Sequence, residues 1–172
     1  REAMTLRNSL PIPTGIGPDL LYADDSKVVM EFVEGERILT YLDGQQCIKA
    51  CVQTLLEVMK QLRYLDALGI QKGELVKPDR HVLINQVGVP VLIDFERCKE
   101  TSSPQNVTQF CQFLLSKRLT CALENSRGME QASINLCALR QLCQEYKASG
   151  LGEAAYLQMI QIISAVRAEP RR

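Results

Sequence analysis

Three short stretches hold the side chains best able to do chemistry. They are Glu31-Phe32-Val33-Glu34-Gly35, the polar run Gly73-Glu74-Leu75-Val76-Lys77-Pro78-Asp79-Arg80-His81, and Ile93-Asp94-Phe95-Glu96. A carboxylate directly after the near-continuous apolar run Val89-Pro90-Val91-Leu92-Ile93 is costly to bury alone, which puts Asp94 at a cleft edge with an ion or hydrogen-bond donors. Taken by themselves, Glu74, Lys77, Asp79 and Arg80 read as solvated loop charge. His81, the single histidine, suits a structural hydrogen bond as well as a ligand role. The seven cysteines form no CxxC pair, so with one histidine they offer no thiolate metal site and read as reduced thiols, mostly on buried helix faces.

These stretches need a frame. Glu2 to Leu10 has helical composition and stops before Pro11 and Pro13. Leu20–Ala23 and Lys27–Val33, flanking Asp24-Asp25-Ser26, read as a hairpin, followed to about residue 46 by a connector with one short helical or extended piece. Ile48, Cys51, Val52, Leu55, Met59, Leu62, Leu65 and Leu68 form one stripe, predicting a helix over 47–68 that Gly69 ends. Val82–Asn85 and Val89–Ile93 read as two strands around a tight turn. Ser103-Pro104 offers the start of a helix with Val107, Phe110, Cys111, Leu114 and Leu115 inward. Further helices are expected over 129–147, with Ile134, Cys137, Ala138, Leu142 and Cys143 inward, and over 153–168, with Leu157, Ile160, Ile163 and Val166 inward.

In this order, separated by one long helix and one hairpin, the three stretches resemble the hinge, catalytic loop and metal-binding loop of the protein-kinase-like fold. The resemblance covers nearly the whole chain. It is closest to small atypical kinases: the RIO type, the kinase of the KEOPS complex, and above all the predicted archaeal-type Ser/Thr kinases with a Gly-Glu-Leu catalytic loop and an Asp-Phe-Glu metal loop. It implies an α+β kinase-like fold, with 1–34 the remainder of the N-terminal lobe and 35–172 a mainly helical C-terminal lobe. It further implies ATP and magnesium as cofactors. Glu2 then looks like the helix-C glutamate, Met30 the gatekeeper, and Glu31, Phe32 and Val33 the hinge against which adenine would lie. Asp94 looks like the magnesium ligand, Glu74 takes the place of the catalytic-loop aspartate, and Lys77 would neutralise transferring phosphate charge. His81 stands where the family pattern has its second metal ligand, an asparagine. The Gly-rich loop and the strand lysine of that pattern have no counterpart in the sequence. The stretch from Arg97 to Ser103 is short for an activation segment.

The whole composition narrows the field. Twenty Lys and Arg balance twenty Asp and Glu in 172 residues, 46% of them hydrophobic, which argues against a polyelectrolyte binder and for an ordinary globular core. No apolar run reaches the length of a membrane span, and the unpaired thiols point to a reducing, intracellular setting, the cytoplasm first, with the nucleus or an organelle left open. In that setting Asn106-Val107-Thr108 is a chance match to a glycosylation sequon. The reading is an atypical Ser/Thr protein-kinase-like phosphotransferase using ATP and magnesium, with a protein substrate or partner subunits as its partners and the acceptor left open; the alternative is a non-catalytic kinase-like scaffold subunit of a larger assembly.

Overall fold

The computed structural model describes residues 15–24, 26–45, 47–125 and 135–166. Glu2 and its expected helix lie outside them, as do Ile134 and the expected start of the helix from Met129. Strands β1 (Leu20–Ala23) and β2 (Val28–Met30) pair antiparallel as a two-stranded sheet. The Asp24 carboxylate ties their turn by accepting from the Ser26 N–H and Oγ, both at 2.7 Å, and the Lys27 N–H at 2.9 Å. These bonds hold the Asp24 carboxyl down at about 2.

The expected connector is an ordered strand and helix, β3 (Gly35–Arg37) and α1 (Ile38–Gly44). β3 joins β5 (Val82–Asn85) and β6 (Pro90–Leu92) in an antiparallel sheet of order β3-β5-β6. Glycine is required at 35, because a Cβ there would collide with the Ile84 carbonyl across the pair. Asn85 closes the β5–β6 turn, its Oδ1 accepting from the N–H groups of Val87 and Val89 at 3.1 and 2.9 Å.

The expected apolar stripe becomes α2 (Ile48–Ala67), whose Cys51, Leu55, Val58, Met59, Leu62 and Leu65 are buried. Leu68 caps the helix and is exposed, a departure from the expected stripe. Gly69 follows at φ +71°, in the left-handed region. The hairpin is fixed to this helix by Gln61, whose Nε2 donates to the Pro90 carbonyl at 2.8 Å.

After α2, β4 (Ile70–Gln71) pairs with β7 (Lys99–Glu100), and a 3-10 turn (Pro78–Arg80) leads into β5. The remaining helices are α3 (Asn106–Leu114), α4 (Lys117–Asn125), α5 (Leu136–Ala148) and α6 (Glu153–Ser164). α3 starts later than Ser103-Pro104 implies, because its capping acceptor is a distant carboxylate: Asp66 takes the N–H of Asn106 at 2.9 Å and of Val107 at 3.2 Å. Cys137 and Leu157, expected inward, are exposed; Leu139, Leu142 and Tyr146 of α5 and Ala155, Tyr156 and Met159 of α6 fill the core instead. Of the cysteines, Cys51, Cys98 and Cys111 are buried and Cys143 partly so, whereas Cys47, Cys121 and Cys137 are exposed free thiols. The architecture is α+β, helix-dominated, with small antiparallel sheets. No helix among the described residues is long and apolar enough to cross a membrane.

Candidate functional site

The polar run leaves β4 and is pinned from below. The Asn106 Oδ1, at the start of α3, accepts from the Lys72 N–H at 2.8 Å and from Gln71 Nε2 at 3.0 Å. Asn106 Nδ2 donates in turn to Asp66 Oδ1 at 2.8 Å and to the Ile70 carbonyl. Leu75 is fully buried, its N–H directed at Gln109 Oε1 at 3.4 Å, and so fixes the loop just beyond Glu74. Glu74 itself faces out, at φ +59°. The other wall is β6, whose register with β5 pairs Val82 with Leu92. The Ile93 N–H donates to the His81 carbonyl at 3.0 Å, which places the end of that strand beside the histidine. Asp94 then turns the chain at φ +64°. Non-glycine residues in this left-handed region cost about 1 kcal/mol or more each, so both acids sit on strained backbone.

Three predicted residues from three segments meet here. His81 Nδ1 lies 3.3 Å from Asp94 Oδ2, and His81 Nε2 lies 3.5 Å from Glu74 Oε2. Burial, reinforced by the charge of Lys72, holds the imidazole below its ordinary pKa of 6.5, against the opposing pull of Asp94 and Glu74. At neutral pH the ring is therefore uncharged and the two contacts are not ion pairs. Its Nδ1 is buried and makes no hydrogen bond. Glu74 Oε1 accepts from Arg97 Nη1 at 2.9 Å, an exposed pair of the kind that contributes about 0–1 kcal/mol.

Lys72, which carries no expectation from the sequence, packs directly against this cluster. It is 2% exposed, its Nζ donating to the Asp94 carbonyl at 2.9 Å and lying 5.0 Å from the centre of the Phe95 ring. Burial lowers its pKa, while Cys98, Asp94 and Glu74 pull the other way. The ammonium thus clamps the Glu74 loop to the Asp94 turn and leaves the Asp94 carboxylate facing His81. The only advance signal is a lysine one residue before Gly73, in a run that looks solvated.

The other predicted residues lie apart from this cluster. Lys77 is exposed at the start of the 3-10 turn and has no ion-pair partner among the described residues; its N–H donates to the Glu74 carbonyl at 3.2 Å. Glu31, Phe32 and Val33 line a separate cleft of about 510 Å³ with Glu34, Asn85 and Val91. Phe32 is 87% exposed. Met30 ends β2 opposite Leu20 and does not line this cleft.

The donors themselves test the magnesium that the resemblance implies. Asp94 and Glu74 offer hard oxygens, but magnesium demands a near-octahedral oxygen shell, and the third group is an imidazole nitrogen. The set does not fit that ion. No protein-family model matches the chain, and no curated protein matches it.

Proposed function

We propose that this chain is the kinase-like part of an atypical Ser/Thr phosphotransferase that takes ATP, with 1–34 the remainder of an N-terminal lobe and 35–172 a helical C-terminal lobe. The observation that carries the reading is the meeting of Glu74 and Asp94, from separate segments, at one His81. The cleft bounded by 31–34 and the β5–β6 hairpin supports it, since Val87, Val89 and Val91 give it an apolar lining of the kind an adenine needs. In this reading the backbone of Glu31 to Val33 holds the adenine. Glu74 accepts the proton of the acceptor hydroxyl, within reach of a general base. Lys77, exposed beside the loop, attracts phosphate, and Lys72 positions Asp94. Catalysis would be orientation and electrostatics rather than covalent chemistry.

Calorimetric titration of ATP into the protein and its Asp94→Ala variant, with and without magnesium, tests this. Binding by the wild type that weakens in the variant is the expected result; no heat from ATP in either condition overturns it.

One observation favours a second reading, a non-catalytic scaffold subunit. Arg97 already occupies one oxygen of Glu74, which is the arrangement of a surface ion pair rather than of a free base. In that case ATP does not bind, and Arg97→Ala leaves it unbound.

A further inference from the structure

The mismatch with magnesium points to a different cation. One ligand atom from each of Glu74, His81 and Asp94 lies within 4.8 Å of the others. Donors on one tetrahedral metal at bonds of about 2.0–2.2 Å stand about 3.3–3.6 Å apart, so the set closes when the exposed Glu74, which faces Nε2, turns toward the Nδ1 edge where Asp94 lies. Two acids alone would mean little, since surface carboxylates cluster often. The second observation is His81: its side chain is 10% exposed and is aimed at the acids, and its buried Nδ1 has no hydrogen bond. Leaving such a nitrogen unsatisfied is unfavourable, and a metal satisfies it.

The surrounding groups leave the right atoms available. Arg97 takes Oε1 of Glu74, whereas Oε2 is left on the His81 side, 3.5 Å from Nε2. Lys72 donates to the carbonyl of Asp94 and not to its carboxylate. One neutral nitrogen and two carboxylate oxygens form a borderline donor set, which favours first-row transition ions over magnesium and calcium.

We infer that Glu74, His81 and Asp94 form a binding site for a borderline divalent cation of the zinc, cobalt or manganese class, filled without nucleotide. The inference goes beyond the phosphotransferase reading and stands without it. Zinc binds most tightly of the three and manganese least, following the order of intrinsic affinities.

Because His81 is the single histidine, its ring resonances report the site without ambiguity. Zinc chloride titrated into the nucleotide-free protein is expected to shift the imidazole nitrogen signals to saturation at one equivalent, while magnesium chloride leaves them unmoved. Asp94→Asn and Glu74→Gln, at exposed positions, are each expected to weaken zinc binding at least about tenfold. His81→Asn, which substitutes an oxygen donor, is expected to narrow the zinc-over-magnesium preference by a similar factor. Zinc taken up with the ring signals unchanged assigns it to the exposed thiols of Cys47, Cys121 or Cys137 and overturns the inference, as does an imidazole response that survives both acid substitutions. The two readings fail separately. ATP binding with a silent imidazole sinks only the cation site, and a zinc-responsive imidazole without ATP binding sinks only the phosphotransferase.

Discussion

Asp66 and Asp94 are both aspartates at the end of an element, yet their surroundings are opposite. Asp66 is 1% exposed and accepts four hydrogen bonds: from the N–H of Asn106, the N–H of Val107, the Asn106 amide and the Tyr146 hydroxyl. Burial still pushes its pKa up against those four donors. Tyr146 is in turn held by Arg63, which also pairs with Glu153 at 3.0 Å, so the network binds α2, α3, α5 and the start of α6. Among the described residues, no such donors reach the Asp94 carboxylate. That group meets a neutral histidine, and the buried lysine partner of Asp94 bonds its main chain instead. An acid whose acceptor capacity is filled by the fold has a structural purpose. One that the fold strains and leaves open has capacity for a ligand.

The largest effect should come from breaking the first of the pair. Asp66→Ala strips acceptors from four buried donors and is expected to destabilise by about 3 kcal/mol or more in urea unfolding. A loss below about 1 kcal/mol would erase the contrast. Next in size is Lys72→Met, which keeps the volume but leaves the Asp94 carbonyl without its donor; about 1–2 kcal/mol is expected in the same assay, with weaker cation binding than wild type.

A smaller effect is pH-dependent. The folded-state pKa of His81 lies below the ordinary 6.5, so between that lowered value and 6.5 the unfolded chain binds more protons than the folded one. The associated stability is complete above about 6.5 and declines as pH falls through that window. Unfolding midpoints measured from pH 7 to pH 5 should fall more steeply in the wild type than in His81→Asn; equal slopes would show that the ring does not titrate as placed. The smallest change is expected for Asp94→Asn. Asparagine tolerates the left-handed backbone, so stability should stay within about 0.5 kcal/mol while zinc binding weakens at least about tenfold. A loss comparable to that of Asp66→Ala would make Asp94 a structural residue too.

What could be read from the sequence follows the range of the interactions. The α2 stripe and the β5–β6 hairpin depend on residues close in the chain, and they were legible. Helix α4 escaped because its polar Lys117, Arg118 and Thr120 mask a stripe carried by Leu119, Ala122 and Leu123, with only Ser116 to mark its start. The true start of α3 depends on Asp66, forty residues upstream of Asn106. The clamp by Lys72 depends on a carbonyl twenty-two residues away. No local pattern encodes either. Leu157 shows the same limit in the core: its apolar side chain fits the helical period, but the packing of α6 on α2 and α5 selects the adjacent Tyr156.

Asn106 carries one more consequence. Its side chain lies at 0% exposure between Asp66, Ile70, Gln71 and Lys72, while Asn106-Val107-Thr108 still spells the acceptor tripeptide for an N-linked sugar. Expressed through a secretory host, the chain would enter a race between folding and the transferase. A sugar at this amide displaces the hydrogen bonds that seat the loop, so each glycosylated molecule is a marker of a polypeptide that was caught before it folded.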